Sequence, residues 1–471
     1  MLPIVTPDEM RAIDFAAAVS TQVLIDRAGA AVARAALRMM GGSYGRTVAI
    51  IAGPGNNGAD GRVAGQRLAA RGVRVLMHDT AALPAAFAGV DLVIDAAYGT
   101  GLRSEWRPPD VGDIPVLAVD LPSGVNALTG AVAGDALPAT RTITFAALKP
   151  GHLLPPGSDF VGELEVADIG LSVTGARAHL VQRSDVAEWW PRRATDAHKW
   201  QSAVRLLAGS PMMTGAAALA ARAAMRAGSG MVHLSAPGVL VTSAPTEVVQ
   251  RSLPRFGWAD EALASLDRFR AAVIGPGLGR DDGTCADARR FIVEAPVPLV
   301  IDGDGLFALG WNAEGAASLL RKRNLPTVLT PHDGEFALLV GVHPGLDRLV
   351  AARRLAADTG SVVLLKGPAT VIAAPDGEVL VVTTGDARLA TAGTGDVLSG
   401  IVGALLASGL DPLWAAAAGA WVHGQAAALA ALSGMIASDI ADHLPAVLAT
   451  LSPDRLSPDS FLPDGFGDAG R

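Results

Sequence analysis

Twice along the chain, short runs of β-branched and apolar residues alternate with helical patterns, and this alternation restricts the fold more than any single motif. Thr47 to Ala52, Val73 to Met77, Asp91 to Ala96, Val116 to Leu121 and Arg141 to Ala146 read as strands. Most are apolar throughout, as parallel strands covered by helices on both faces must be. The expected fold of this half is a doubly wound α/β sandwich. Helices at about Pro7 to Ala18 and Leu24 to Met40 precede the first strand, and Thr6, Pro7 and Glu9 form a capping box for the former. A strand-like Glu163 to Val166 leads to Trp189-Trp190-Pro191-Arg192-Arg193, where the pattern breaks. It restarts with Val204 to Ala208, a helix from Thr214 to Ala227, and strands near Met231, Ala271, Leu299, Val328, Val362 and Val371. Helices over Thr394 to Ser408 and Leu413 to Leu432 close it. The expected organisation is two α/β domains, 1–190 and 191–455, with 456–471 a disordered tail rich in Pro, Asp, Ser and Gly.

Composition narrows the function. A chain of 471 residues exceeds one hydrophobic core, and 50% hydrophobic with 18% charged residues excludes a disordered one. The net charge of -8, without a Lys/Arg-rich block, argues against nucleic acid as a partner. Cys285 stands alone, so no internal disulfide and no Cys-based zinc site can form within one chain, which fits a reducing cytoplasm. The opening residues lack the basic region and apolar core of a signal peptide. Leu413 to Leu432 carries no charge, but its alanines, His423, Gln425 and two glycines mark a buried helix rather than a membrane span. The apolar helices are compatible with a homo-oligomer interface and equally with ordinary core.

In the first half, the strand ending at Ala52 runs into Gly53-Pro54-Gly55-Asn56-Asn57-Gly58-Ala59-Asp60-Gly61 and a helix expected from about Arg62. A Gly-rich turn at a helix N-terminus suits a phosphate, because free N–H groups and the helix dipole point at it. Other strand ends carry Asp95 with Gly99-Thr100-Gly101-Leu102, Asp120 with Pro122-Ser123-Gly124, and Lys149. Each residue has a plain alternative as a cap or surface charge, but ligands bind outside the carboxyl ends of such strands, where these segments converge.

These residues, with Met10-Arg11-Ala12-Ile13-Asp14 and Leu148-Lys149-Pro150-Gly151, resemble the N-terminal, Rossmann-like epimerase domain of bifunctional NAD(P)H-hydrate repair enzymes over Met1 to about Leu171. The resemblance implies that Asn56, Asn57, Gly58, Ala59 and Asp60, with Gly99, Thr100, Gly101, Leu102, Arg103, Ser104 and Glu105, hold dinucleotide phosphates. It implies that Asp120 contacts the damaged ring and that Asn57, Asp95 and Ser123 bind K+, for which oxygen donors are suitable. Asp120 and Lys149 are the candidates for proton transfer, since the epimerised carbon carries a hydroxyl and the ring nitrogen, and inversion can proceed by opening and reclosure. The family's Asn-Asn-Gly-Gly-Asp reads Asn-Asn-Gly-Ala-Asp here, and a positive φ at Ala59 would strain it.

In the second half, Thr391-Ala392-Gly393-Thr394-Gly395-Asp396 opens a long apolar helix. N–H donors there would stabilise a phosphoryl group in transfer while Asp396, the candidate catalytic base, accepts the attacking hydroxyl's proton; an ordinary helix-dipole Asp is the plain alternative. Lys366-Gly367-Pro368-Ala369-Thr370 lies between strands, His332 stands beside Asp333 and Glu335 at a strand end, and Gly275-Pro276-Gly277-Leu278-Gly279 makes another Gly-rich exit. No lysine-containing P-loop occurs.

From about His198 to Leu432 these segments resemble the ribokinase-like superfamily, and within it the ADP-dependent NAD(P)H-hydrate dehydratases. The narrower features include Asp302-Gly303-Asp304-Gly305-Leu306 and Lys366-Gly367. The resemblance implies that Lys366, Gly367, Pro368, Ala369, Thr370 and Gly395 bind ADP, and that Gly277, His332 and Asp396 contact the hydrated cofactor. Phosphorylation of the hydrate's hydroxyl and expulsion of phosphate would restore NAD(P)H, with AMP as product and Mg2+ neutralising charge. The family's His-Lys-Gly entry segment reads His198-Lys199-Trp200, and Ala203 replaces a later glycine. Two alternatives stay open: a ribokinase-like small-molecule kinase, and a first domain that only binds a dinucleotide or a partner.

Overall fold

The computed structural model describes residues 1–101, 105–264, 266–310 and 315–451. The expected tail at 456–471 lies outside them. The chain forms two compact units, Met1–Val181 with Pro331–Thr383, and Gln182–Thr330 with the residues from Thr384 on.

The first unit holds a six-stranded sheet in the order Arg74–Asp79, Thr47–Ala52, Leu92–Ala96, Val116–Val119, Arg141–Phe145, Glu163–Ala167. Every pairing is parallel. Because the chain leaves Thr47–Ala52 in one direction and returns on its other side, a crevice opens between the carboxyl ends of that strand and Leu92–Ala96. One face is covered by helices Thr21–Met40 and Asn56–Ala69 over a core that includes Val32, Ala36, Ile50, Ile94 and Leu117. Gly29 lets them approach: a Cβ there would stand 2.5 Å from Val63 Cγ1 and 2.9 Å from the Asp60 carbonyl oxygen.

The other face departs from the expected helical cover. Trp106, Val111, Leu137 and Phe87 pack on it from irregular chain, and among the described residues no helix lies between 97 and 140. Pro108, Pro109, Pro115, Pro122 and Pro138, with several glycines, interrupt these connections; neither residue sustains a helix interior.

Within the same unit, Leu2–Ile4 pairs with Ala178–Leu180, which lies alongside Val379–Val382, followed by Thr370–Ala373 and Val362–Leu365. The first two strands cover an edge otherwise open to solvent. Two bonds from this N-terminal strand, Leu148 N to Pro3 O and Val5 N to Leu148 O, both 2.9 Å, fix the segment that carries Lys149.

The second unit holds parallel strands in the order Thr327–Leu329, Leu299–Ile301, Ala271–Ile274, Ala203–Leu207, Met231–Ser235, Val249–Gln250. Helix Thr394–Ala407, buried along most of its length, packs on helix Thr214–Arg226. Only glycine fits at Gly400, where a Cβ would lie 2.2 Å from the Ala220 carbonyl oxygen. Among the described residues, no helix is long and apolar enough to cross a membrane.

Candidate active sites

The Gly-rich turn after Ala52 is tighter than its sequence suggests. Helix Asn56–Ala69 begins six residues before the expected Arg62, because Gly53 and Gly58 allow backbone contact: a Cβ on Gly58 would stand 1.9 Å from the Gly53 carbonyl oxygen, and one on Gly53 1.9 Å from that of Ala97. Ala59 therefore sits inside the helix, its N–H bonded to the Gly55 carbonyl at 3.1 Å. It is absent from the positive-φ residues, so the expected strain does not arise. Ala59→Gly should lower stability by roughly 0.5–1 kcal/mol, the ordinary glycine cost in a helix. Thermal melting checks this, and a higher Tm in the variant would mean that alanine is strained after all.

The strand ends enclose a cavity of about 480 Å³ lined by Asn56, Asn57, Asp60, Gly99 to Gly101, Asp120 and Lys149, together with Met10, Asp14 and Thr21 from the two N-terminal helices. Gly58 is buried behind it, and Glu105 is exposed and outside its lining. Leu102, Arg103 and Ser104 lie outside the described residues.

At the floor, Lys149 Nζ lies 2.7 Å from Asp120 Oδ1 and 2.9 Å from Thr144 Oγ1, and Thr144 Oγ1 donates to Asp120 Oδ1 at 2.9 Å. Lys149 is 2% exposed. Burial pushes the Asp120 carboxyl up, but the Lys149 ammonium and the bonds from Lys149 and Thr144 outweigh it and hold the group below the usual range. Asp120 has φ 65, a left-handed conformation that a non-glycine residue adopts at a cost. His152 fixes that backbone: its Nδ1 accepts from Lys149 N at 2.9 Å, which leaves Nε2 to donate to the Asp120 carbonyl at 2.7 Å. Burial, with the Lys149 charge, lowers the His152 pKa to about 4, in keeping with a neutral ring. Thr144 and His152 were not singled out from the sequence, and Asp14 was noted only within the Met10 to Asp14 run, with no role given to it. His152 follows directly on Lys149-Pro150-Gly151, and its spacing from Lys149 is the signal that could have found it.

Asp60, which lines the same cavity, is 7% exposed, and burial first, then Asp120 and Asp14, raise its pKa to about 8.

Asp95 is wholly buried beneath the turn. It accepts from Ser123 N at 2.8 Å and Ser123 Oγ at 2.7 Å, and Ser123 Oγ also meets Tyr98 N at 2.8 Å. Both polar atoms of the Asn57 side chain are buried without a hydrogen-bond partner. A buried carboxylate and a hydroxyl, with an unsatisfied amide oxygen nearby in the same crevice, are donors that a hard monovalent cation accepts.

The second half presents its residues in both units. In the second unit, Gly393, with φ 90, caps helix Thr394–Ala407 without a side-chain bond, and Gly395 and Asp396 occupy its first turn. Those first N–H groups have no intrahelical acceptor and face outward along the axis. Gly277 has φ 60, and a Cβ there would lie 2.8 Å from the Ala216 Cβ. Asp302 and Asp304, absent from the expected site, hold this frame: Asp302 accepts from Thr330 Oγ1 at 2.8 Å and Ser399 Oγ at 2.6 Å. Asp304 accepts from Gly279 N at 2.8 Å and Arg280 Nε at 2.6 Å. Ala203 is extended, so alanine fits there, and Trp200 packs against His233 and Phe269.

In the first unit, His332 caps helix Asp333–Val340, its Nδ1 accepting from Gly334 N at 3.0 Å and Glu335 N at 3.2 Å. Lys366 Nζ lies 3.3 Å from Glu335 Oε2. Arg348, not anticipated, bonds Asp333 at 2.9 Å and the Lys366 carbonyl at 2.8 Å, bracing the Lys366 to Thr370 turn.

Two family models match the chain. Residues 204–448 match NAD(P)H-hydrate dehydratase, and residues 21–88 and 76–151 match the YjeF-related protein N-terminus. A bifunctional NAD(P)H-hydrate repair enzyme of Mycobacterium leprae is 39% identical over 466 residues, covering 91% of this chain and 95% of that protein. The enzyme of the same description from Escherichia coli is 34% identical over 442 residues, covering 83% of each. The crystal structure of an ADP/ATP-dependent NAD(P)H-hydrate dehydratase from Bacillus subtilis, co-crystallised with ATP/Mg2+, is 33% identical with a TM-score of 0.51, covering 57% of this chain and 98% of that one. A ribokinase-like superfamily protein from Enterococcus faecalis, 22% identical with a TM-score of 0.52, covers 60% of this chain and 99% of its own and shares the fold.

Proposed function

We propose a division of labour within a chain that belongs to the family of bifunctional NAD(P)H-hydrate repair enzymes: the N-terminal domain, 1–190, interconverts the R and S hydrates, and the C-terminal domain, 191–455, dehydrates the S form. The observation that carries the reading is the buried Lys149–Asp120 pair opening on a cavity at the switch point of the six-stranded sheet. A simple kinase has no use for it.

In the N-terminal site, Asn56 to Asp60 and Gly99 to Glu105 form the dinucleotide site, and the backbone N–H groups at the helix N-terminus receive its phosphates. Asp120, kept ionised by Lys149, accepts the proton of the hydroxyl on the hydrated carbon. The bond from that carbon to the ring nitrogen opens, a carbonyl forms, and reclosure on its other face inverts the centre. Asn57, Asp95 and Ser123 are the residues that would hold K+, which when bound supplies positive charge beneath the turn.

In the C-terminal domain, Lys366 to Thr370 and Gly395 bind the nucleotide, and Gly277, His332 and Asp396 contact the hydrate. Asp396 takes the proton of the substrate hydroxyl as its oxygen attacks the terminal phosphorus of ADP, releasing AMP. Loss of phosphate and of a ring proton then restores NAD(P)H. The oxygens of Asp302 and Asp304 are already engaged within the protein, so Mg2+, when bound, would be held mainly by the nucleotide phosphates and would neutralise their charge. The site of action is the cytoplasm.

The epimerase half is tested by adding the full chain to pure S hydrate without nucleotide and separating the epimers by chromatography. The R form should appear faster than in buffer alone, and faster in K+ than in Na+. Interconversion at the uncatalysed rate would reduce the N-terminal domain to a binding module, and equal rates in the two salts would remove K+ from the site.

A further inference from the structure

Asp60 has a different setting from Asp120, the other carboxylate of the same cavity. Asp120 is ion-paired to Lys149, whereas Asp60, more than nine-tenths buried and lining the same cavity, has neither a hydrogen bond nor an ion pair among the described residues. Its burial follows from Gly29, which brings helix Thr21–Met40 against the Asp60 backbone. The groups that face Asp60 do not supply a cation. Asp14 comes from helix Pro7–Phe15, and Asp120 carries the charge of Lys149. Arg27, on helix Thr21–Met40, donates to the Ile169 carbonyl at 2.8 Å, and burial lowers the His152 pKa to about 4.

Two carboxylates that share a cavity, one paired and one unpaired, are pushed towards opposite protonation states and so towards opposite roles. We propose that Asp60 is the acid of the epimerisation, giving its proton to the ring nitrogen as the carbon–nitrogen bond opens and recovering it on reclosure. This rests on the epimerase reading above. The Asp120 carboxylate takes the hydroxyl proton through Oδ2, since Oδ1 is engaged by Lys149 and Thr144. The oxygen's freed electron pair forms the carbonyl, the carbon–nitrogen pair moves to nitrogen, and the Asp60 proton neutralises that nitrogen. The opened chain turns about its carbon–carbon bond. The same transfers then run in reverse on the other face, so that no proton or electron is gained or lost over the cycle. The raised pKa of Asp60, about 8, is consistent with a proton being available at neutral pH.

The test is Asp60→Asn in the full chain, which removes the proton but keeps the shape. The kcat for interconversion should fall about 100-fold or more, as for loss of a general acid, with KM little changed. The fall in wild-type rate as pH rises through 8 should disappear in the variant. Because a buried charge is removed, the variant should melt no lower than wild type at pH 8. Conversion of S hydrate with nucleotide should be unaltered, which shows that the chain is intact. An unchanged kcat, a change confined to KM, or the same alkaline limb in the variant would overturn the assignment. Absence of interconversion in the wild type would instead overturn the epimerase reading on which it rests.

Discussion

Asp396→Asn should stop NAD(P)H regeneration, with kcat for dehydration falling about 10²–10⁴-fold, while R and S hydrates still interconvert. The side chain stands in the first turn of helix Thr394–Ala407, where the positive end of the helix dipole favours negative charge developing on a phosphoryl oxygen. Neither glycine nor dipole can accept the proton of the attacking hydroxyl, and an asparagine amide cannot either. The helix itself should survive, because its burial between Ala220 and Val273, through Gly400 and Gly403, does not involve Asp396. Rate measurement at saturating S hydrate and nucleotide checks the result; a loss smaller than tenfold would move the base elsewhere.

Lys149→Met should abolish interconversion and also destabilise the chain by about 3–5 kcal/mol at neutral pH, the usual cost of leaving one member of a buried pair without its partner. The sign of the pH dependence follows from Asp120. Its folded pKa is depressed, so the stabilisation is present above the unfolded carboxylate value and is lost as pH falls through the folded one. In the variant, burial without the ammonium leaves Asp120 favouring its neutral form, so the two proteins should converge in stability on acidification. Lys149→Met with Asp120→Asn should recover much of the stability and none of the activity. Denaturant unfolding at neutral and acid pH, alongside the epimer assay, separates these. A double variant no more stable than Lys149→Met would show that the lysine acts by packing rather than charge.

What the sequence made legible was periodic. Apolar runs such as Thr47 to Ala52 and Val204 to Ala208 became the strands their pattern required, and polar residues in the segments that follow strands, Asp60, Asp120 and Lys149 among them, came to line one cavity. What escaped depended on contacts remote in sequence. Nothing local marks Leu2–Ile4 and Ala178–Leu180 as partners, or says that they lie beside Val379–Val382. The proline-rich cover of the second sheet face carries no period. The early start of helix Asn56–Ala69 depended on how closely Gly58 approaches the Gly53 carbonyl, which glycine counting alone does not reveal. Residues that act by orienting others were hidden for the same reason. His152 holds the Asp120 backbone across 32 positions, and Ser399 holds Asp302 across 97.

The most direct test gives the purified chain an equilibrium mixture of R and S hydrated NADH, with Mg2+, K+ and ADP or ATP, and follows dihydronicotinamide absorbance. Two activities on one substrate predict recovery of the whole mixture, faster than uncatalysed epimerisation could supply the S form. Recovery that halts at the S share would contradict the account.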